Sequence, residues 1–182
     1  MIYEPAEDSF LLKKYVEKYV KKGMKILDIG TGSGIQAETA IKKGAKVLAS
    51  DINQESVDFV NKKGIKTIQS NLFKDIKGKF DLIIFNPPYL PNDKREDEQS
   101  SISTTGGKKG YEIIEKFLKE VKKYLNENGK ILLVFSSLTN KQKINLIIKE
   151  NNFKFKILEI KRFDFEEIYI YLINKIINSF GK

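Results

Sequence analysis

An apolar segment that runs into a glycine-rich turn constrains the fold of this chain more than any other feature. Met24–Leu27 is apolar except for Lys25, Asp28–Gly34 (Asp-Ile-Gly-Thr-Gly-Ser-Gly) forms the turn, and Ile35–Ile41 has the pattern of a helix. Glycine allows the backbone to turn tightly and to approach a ligand closely. The dinucleotide fingerprint does not fit, because Ile35 stands where its third glycine belongs, and no Gly-Lys-Ser/Thr phosphate loop follows. The segment therefore predicts a strand–loop–helix unit, with a nucleoside cofactor as one interpretation of the loop.

A second apolar strand, residues 45–50, ends directly before Asp51. In a βαβ nucleotide site, an acid at this strand end accepts hydrogen bonds from the ribose hydroxyls. The alternative is an N-cap for the helix that begins near residues 53–55, where Asp is common. The two roles are compatible.

A stiff turn, Asn86-Pro87-Pro88-Tyr89, follows the apolar strand at residues 80–85. Each proline fixes its own φ near about −65°, and Pro88 also keeps Pro87 out of helical geometry. The Asn86 side-chain oxygen and the Pro87 carbonyl can each accept a hydrogen from a planar N–H₂ group, over which Tyr89 would lie. The alternative is a strand-ending turn with an aromatic side chain packed on it.

The three features occur in a fixed order: the glycine-rich turn, the acid after the next strand, and the Asn-Pro-Pro-Tyr turn after the fourth strand. The spacing of the glycine-rich turn resembles motif I of S-adenosylmethionine-dependent methyltransferases, and the order favours an N-methyltransferase.

Strands and helices alternate along the chain, which predicts a mostly parallel sheet between helices, closed by one antiparallel hairpin. The predicted elements are helix 8–21, strand 24–29, helix 35–43, strand 46–50, helix 54–62, strand 65–69, strand 80–85, helix 109–125, strand 130–136, helix 140–150 and strands 153–161 and 166–173. The Asn128-Gly129 pair is expected to end the helix before it. The buried face of the first helix is predicted as Phe10, Leu11, Tyr15, Val16 and Tyr19. This alternation resembles the seven-stranded pattern of S-adenosylmethionine-dependent methyltransferases, which implies an α/β fold class with a Rossmann-like sheet of order 3-2-1-4-5-7-6 in three αβα layers. We expect residues 1–182 to form a single domain.

Composition excludes several kinds of chemistry. The 182 residues include no Cys and no His, which rules out thiol nucleophiles, histidine acid–base catalysis and a structural zinc held by this chain. The net charge of +9 permits nucleic-acid binding, but the lysines are spread along the chain and equally fit a solvated surface. No apolar stretch approaches the length of a membrane span and no signal peptide is recognisable, so we expect a soluble, cytoplasmic protein.

Four segments together carry a specific resemblance: Tyr3–Ser9 (Tyr-Glu-Pro-Ala-Glu-Asp-Ser), the glycine-rich turn, the Asn-Pro-Pro-Tyr turn and Thr105–Glu112 (Thr-Gly-Gly-Lys-Lys-Gly-Tyr-Glu). In this order they resemble the archaeal and eukaryotic branch of the HemK-like glutamine N5-methyltransferases. The resemblance implies S-adenosyl-L-methionine as cofactor. It also implies, as substrate, the glutamine of the Gly-Gly-Gln motif in class I translation release factors. The bacterial branch has an N-terminal helical domain for docking, for which no room is expected before Asp28.

The resemblance also assigns residues. Asp28, Gly30 and Gly32 would line the methionine and ribose end of the cofactor, and Asn71 would accept from the adenine amine. The full cofactor set is Glu7, Asp28, Gly30, Thr31, Gly32, Asp51, Ile52, Asn71, Leu72 and Asn86. The catalytic set is Asn86, Pro87 and Tyr89, and Pro88 joins them in substrate binding. Thr105-Gly106-Gly107 either shapes the substrate entrance or starts a helix.

Other functions share parts of this pattern. The same turn fits the exocyclic amine of adenine or guanine, so a DNA or RNA methyltransferase is the alternative enzyme, although no clustered basic segment is present. Lysine methylation suits the turn less, because a neutral amine needs a base rather than acceptors. A catalytically silent scaffold is disfavoured by the intact Asn86 and Tyr89.

A partner is also expected. Strand 65–69 is predicted at the sheet edge, with the connection 70–79 too short for a covering helix, which leaves Ile65 and Ile68 beside unpaired backbone groups. Relatives of this branch work with a small zinc-binding activator protein, so a heterodimer formed by strand addition at 65–69 is predicted, with any zinc held by the partner. The alternative is an edge kept soluble by Lys62, Lys63 and Lys66.

Overall fold

The computed structural model describes residues 5–88 and 106–176, and its centre is a seven-stranded sheet of order β3-β2-β1-β4-β5-β7-β6. The strands are β1 Lys25–Ile29, β2 Lys46–Asp51, β3 Thr67–Gln69, β4 Phe80–Phe85, β5 Leu125–Ser136, β6 Phe153–Arg162 and β7 Glu167–Lys175. The helices are α1 Glu7–Tyr19, α2 Ile35–Lys42, α3 Gln54–Lys62, α4 Glu112–Glu120 and α5 Lys141–Glu150, with 3₁₀ turns at Val121–Tyr124 and Ser137–Thr139. The predicted fold class and strand order are confirmed.

The first five strands are parallel, so their carboxyl ends meet along one side of the sheet. We call this side the carboxyl edge; it runs through Ile29, Asp51, Phe85 and Ser136. β7 is antiparallel to β5, and Ser136 pairs with Ile168 near the start of β7. The tip of the β6–β7 hairpin therefore lies at the carboxyl edge as well.

Alternate residues of the central strands point to opposite faces of the sheet, and both faces are covered. Ile83 and Phe85 belong to the core cluster that includes α4 and α5, whereas Leu82 and Ile84 belong to the cluster that includes α1. This two-sided burial explains why the β4 sequence is apolar almost throughout.

The buried face of α1 differs from the prediction at Phe10, whose side chain is 56% exposed. Leu12 is fully buried instead, together with Tyr15 and Val16, which lie three and four residues further along the helix. Phe10 stands two residues before Leu12, which places it on the far side of the helix. The prediction of Phe10 as a core residue is wrong.

The boundary between α4 and β5 also differs. The sequence predicted a helix over residues 109–125. In the structure α4 begins at Glu112 and ends at Glu120, and a 3₁₀ turn then leads into β5 at Leu125. Leu125 is buried and paired with Phe80, so the strand begins before the Asn128-Gly129 pair instead of after it. The β4–β5 register shifts just beyond Phe80, which allows β5 to continue through this pair.

The face beside β3 is better covered than the sequence suggests. Phe73 and Ile76, in the connection 70–79, are 1% and 5% exposed, and the Phe73 ring stacks on Tyr124 with centroids 4.4 Å apart. Ile65 precedes the strand and is 4% exposed in a cluster with Val60. The prediction of a thinly covered face with Ile65 at the open edge is wrong, although β3 does lie at the edge of the sheet.

Candidate active site

The glycine-rich turn and the Asn-Pro-Pro turn meet at the carboxyl edge. Ile29 pairs with Phe85, so the residues that follow them, Gly30 and Asn86, are neighbours. A Cβ added to Gly30 would lie 3.9 Å from the Asn86 carbonyl oxygen. The three glycines of the turn have φ values of 65°, 52° and 83°, a region that favours glycine. Two motifs far apart in the sequence thus form one site.

Asp28 holds the glycine-rich turn. Its side chain is 2% exposed, and its Oδ2 accepts a hydrogen bond of 2.7 Å from the Thr31 hydroxyl. Burial raises the pKa of Asp28 to about 7, although hydrogen bonds from Thr31 and from the Ala37 backbone act in the opposite direction. The Thr31 N–H donates to the Ser50 carbonyl at 3.0 Å. These contacts tie the turn to β2 and to α2.

Asp51 links the turn to the end of β2. Its Oδ2 accepts from the Gly32 N–H and its Oδ1 from the Asn53 N–H, both at 2.9 Å. Burial raises the pKa of Asp51 above its ordinary value, and the backbone hydrogen bonds offset only part of this rise. Asn53 is the N-cap of α3, since its side chain accepts from the Glu55 N–H at 2.9 Å. Asp51 is therefore not the helix cap that the sequence allowed.

The Asn86 side chain makes a hydrogen bond through its amide nitrogen and, within the part of the chain that the structure describes, none through its oxygen. Its Nδ2 donates to Oδ2 of Asp8 at 3.0 Å, and the other Asp8 oxygen accepts from the Ser9 N–H at 2.6 Å. Because a carboxylate only accepts, the amide nitrogen faces Asp8 and the Asn86 Oδ1 faces away. Among the described residues, Oδ1 is buried and has no hydrogen-bond partner. Leaving a buried acceptor without a hydrogen bond costs about 1–3 kcal/mol, which marks Oδ1 as a binding position for a donor.

Asp8 was not assigned a role from the sequence. It is 5% exposed at the start of α1, where an acid is ordinary because it favours the helix dipole. The available signal is its place in the Tyr-Glu-Pro-Ala-Glu-Asp segment, in which the family resemblance assigns a role to Glu7. Only the packing of α1 against the end of β4 reveals the contact.

The Gly-Gly-x-x-Gly segment packs against the proline turn. A Cβ on Gly106 would lie 2.1 Å from the Gly110 carbonyl oxygen and 2.8 Å from that of Pro88. Only glycine fits there. Pro87 is buried and Pro88 half-buried. This segment thus lies beside the turn, as the substrate-entrance interpretation requires, and α4 begins later, at Glu112. Tyr89 and Thr105, which were also assigned roles, lie outside the described residues.

The remaining assigned residues lie at the same edge. Ile52 follows Asp51 and is 51% exposed, which is unusual for so large an apolar side chain. Asn71 is exposed in the turn after β3, and Leu72 beside it is nearly buried, with a φ of 51°. Glu7 is exposed at the first position of α1.

Within residues 5–88 and 106–176, no group of three Asp, Glu, His or Cys side chains is placed to hold a metal ion. None of the helices in these ranges has the length and apolar character that a membrane span requires.

The edge fits a nucleoside cofactor on several observations. The glycine-rich turn offers backbone without side chains, the Asp51 carboxylate offers acceptors for hydroxyl groups, and the exposed Ile52 offers an apolar surface for a base. The Asn86 Oδ1, which accepts no hydrogen bond from the described residues, lies one residue beyond β4 and next to this turn, because β4 pairs with β1.

Comparison with known proteins gives a consistent result. Residues 7–159 match the methyltransferase small domain family. Over 178 residues the chain is 37% identical to a protein of Methanocaldococcus jannaschii named as a protein N5-glutamine methyltransferase, across 93% of this chain and 89% of the relative. It is 31% identical to methyltransferase HEMK2 of Homo sapiens, across 81% of this chain and 78% of the relative. In fold it resembles a chain of the Mtq2–Trm112 complex of E. cuniculi, with a TM-score of 0.81 and 24% identity over 96% of this chain and 99% of the other.

Proposed function

This chain belongs to the methyltransferase small domain family, and we propose that it methylates the side-chain nitrogen of the Gly-Gly-Gln glutamine in a class I translation release factor. It is an S-adenosylmethionine-dependent methyltransferase by family and fold. Two relatives support the substrate: the M. jannaschii protein is named for glutamine N5-methylation, and the E. cuniculi complex is described as responsible for methylation of the eRF1 translation termination factor. The observation that carries the proposal is the buried Oδ1 of Asn86, which has no hydrogen-bond partner within residues 5–88 and 106–176.

A glutamine amide matches this site because it presents two N–H donors in one plane. The Asn86 Oδ1 would accept one of them, and the Pro87 carbonyl would accept the other. Tyr89 would lie over the amide plane, and Pro88 would keep the turn in shape. The hydrogen bond from Asn86 to Asp8 holds the acceptor before the substrate arrives, so little reorganisation is needed when it binds.

The proposed cofactor contacts follow the same edge. Asp51 would accept from the ribose hydroxyls, Gly30 and Gly32 would lie along the methionine part, and Asn71 and Leu72 would border the adenine. Asp28 and Thr31 act mainly by holding the glycine-rich turn, given the contacts between them. Glu7 and Ile52 complete the set at the rim. S-adenosylmethionine supplies the methyl group, which it carries on a positively charged sulfur.

Orientation has to supply most of the rate. An amide nitrogen is a weak nucleophile, because its lone pair is delocalised into the carbonyl. The sequence has no His or Cys, and an amide is too weak an acid for a carboxylate to deprotonate. The turn therefore holds the nitrogen in line with the methyl donor, and the hydrogen bonds to Asn86 and Pro87 strengthen as positive charge grows on nitrogen. The proton leaves after transfer, to water.

The exocyclic amine of adenine or guanine also presents two N–H donors, so substrate identity needs a direct test. Purified chain is incubated with cofactor carrying a labelled methyl group and with release factor, DNA or RNA in separate reactions. The expected result is label in the release factor, located by mass spectrometry on the glutamine of the Gly-Gly-Gln peptide. Label in nucleic acid alone would overturn the proposal.

A second protein would complete the enzyme. The E. cuniculi relative is described as a complex with Trm112, and we extend this to a small zinc-binding activator for this chain, docked on the β3 edge. The backbone N–H and C=O groups of every second residue of β3 point away from β2. Those of Thr67 already form hydrogen bonds with the Asn61 side chain, at 3.0 and 3.1 Å. Strand addition would therefore centre on Gln69 instead of the whole segment 65–69.

We also propose that residues 1–182 form one methyltransferase domain that works in the cytoplasm, where translation factors act.

A further inference from the structure

The β6–β7 hairpin ends in exposed aromatic side chains. Phe165 is 95% exposed and Phe163 is 37% exposed. Large aromatic residues that are this accessible are typical of protein–protein contacts. Two more exposed apolar side chains come from elements that begin at the carboxyl edge: Phe10 in the first turns of α1 and Leu138 in the 3₁₀ turn after β5.

A cavity of about 540 Å³ lies between this hairpin tip and the start of α1. It is lined by Glu7 and by hairpin residues 161–166. Glu7 directly precedes Asp8, whose carboxylate holds the amide of Asn86. The cavity therefore adjoins the proposed methyl-transfer site and shares Glu7 with its rim.

The hairpin tip is anchored to the end of β5. The Ser136 hydroxyl donates to the Glu166 carboxylate at 2.6 Å, and the Glu167 N–H donates to the Ser137 hydroxyl at 3.0 Å. Within the tip, the Phe163 N–H donates to the Glu166 carbonyl at 2.8 Å. A surface fixed in this way loses little conformational entropy when a partner binds.

The charges around the cavity are mixed, so they favour neither a strongly acidic nor a strongly basic ligand. The lining contains two cations, Lys161 and Arg162, and three acids, Glu7, Asp164 and Glu166. Arg162 already pairs with Glu167 at 3.0 Å, and Glu166 already accepts from Ser136. Phe163 and Phe165 supply the apolar part of this lining, which suits an apolar side chain.

We infer that Phe163, Phe165 and the adjacent cavity form a second docking point for the protein substrate, which receives an apolar side chain of the release factor from outside its Gly-Gly-Gln motif. This inference rests on the proposed function. Two glycines before the glutamine offer no side chains, so the motif alone gives the enzyme little to recognise. A second contact at the same edge of the sheet supplies the missing affinity and leaves the turn at Asn86 to position the amide.

The test compares the intact release factor with a short Gly-Gly-Gln peptide, using Phe165→Asp and a matched control. The control is Ile41→Asp, which changes a 41% exposed apolar residue near the end of α2, away from the carboxyl edge. Phe165→Asp is expected to raise KM for the intact release factor at least about tenfold, the scale of losing one aromatic contact, and to leave kcat unchanged. Its kcat/KM for the peptide is expected to match wild type, as is every parameter of Ile41→Asp.

Two outcomes would overturn the inference alone: a wild-type KM for the release factor in Phe165→Asp, or an equal loss with peptide and protein. A wild-type enzyme that methylates neither substrate would overturn the proposed function, and the inference with it. Thermal melting of both variants checks that the fold is retained.

Discussion

The carboxylate of Asp8 accepts a hydrogen bond of 3.0 Å from the side-chain amide of Asn86, and this contact determines which atom of Asn86 faces away. If the amide were rotated by half a turn, its oxygen would meet a carboxylate oxygen, and the two would repel each other. Asp8 thus fixes Asn86 with its acceptor, and not its donor, available for a ligand. A site of this kind is complementary to an N–H₂ group.

Replacing Asn86 tests the acceptor directly. Asn86→Ala is expected to keep cofactor binding and to lower methyl transfer by at least about 10²-fold, the scale of removing one oriented transition-state contact. Calorimetry with the cofactor and turnover with the release factor measure the two effects separately. Unchanged turnover would contradict the role of Asn86.

Replacing Asp8 tests the positioning of Asn86. Asp8→Ala is expected to lower kcat about tenfold, because the Asn86 amide is then free to rotate; this corresponds to about 1.4 kcal/mol, close to one hydrogen bond to a charged group. Asp8→Asn keeps an acceptor oxygen and is expected to recover part of this loss. If Asp8 were only structural, both variants would instead lower Tm and cofactor affinity, with no separate effect on kcat.

Asp51 is expected to act on cofactor binding rather than on methyl transfer. Asp51→Ala removes the acceptors for the ribose hydroxyls and is expected to weaken cofactor binding by roughly 1–3 kcal/mol. The change also leaves the Gly32 and Asn53 N–H groups without their present acceptor, so Asp51→Asn serves as the control that keeps one oxygen. Cofactor affinity equal to wild type in Asp51→Ala would contradict the assignment.

Asp28 gives a prediction for the pH dependence of stability. Its pKa is raised from an ordinary value of 3.8 to about 7 by burial, so between these values the folded chain holds a proton that the unfolded chain has released. The contribution of this group to the free energy of unfolding therefore falls as the pH rises from about 4 to about 7, by at most about 1.4 kcal/mol per pH unit. Asp28→Asn lacks this titration, so its stability relative to wild type is expected to increase across that range.

Urea unfolding of wild type and Asp28→Asn, without cofactor, at several pH values between 5 and 8 measures this difference. A constant offset from altered hydrogen bonding to Thr31 does not affect the trend. Asp51, whose pKa is also raised, is present in both proteins and largely cancels. A difference in stability that stays the same at pH 5 and pH 8 would show that Asp28 is ionised in the fold throughout.

The sequence predicted the features that depend on local pattern. Apolar periodicity gave the strands at 24–29 and 80–85 and, with the family resemblance, the order of the sheet. Asn86 was assigned as an acceptor because this role follows from a turn of four consecutive residues. The importance of Asp8, in contrast, depends on where α1 packs, and an acid at a helix start has an ordinary explanation.

The wrong predictions have the same origin. Phe10 fits an apolar stripe as well as Leu12 does, and only packing against the sheet selects between them. The connection 70–79 has no helical pattern, so nothing local indicated that Phe73 stacks on Tyr124 and covers the sheet. In each case a tertiary contact overrides a local pattern.

The edge strand β3 gives the last prediction, which concerns the activator. Residues along β3 alternate between facing β2 and facing outward, and Asn61 already pairs with the outward groups of Thr67. Gln69 is the next outward position, so a partner strand would bond to its backbone N–H. Gln69→Pro removes this N–H and is expected to weaken the complex at least about tenfold, whereas Gln69→Ala keeps the N–H and is expected to bind like wild type. Calorimetry between each variant and the activator measures the affinity, and equal binding by both variants would exclude strand addition at this edge.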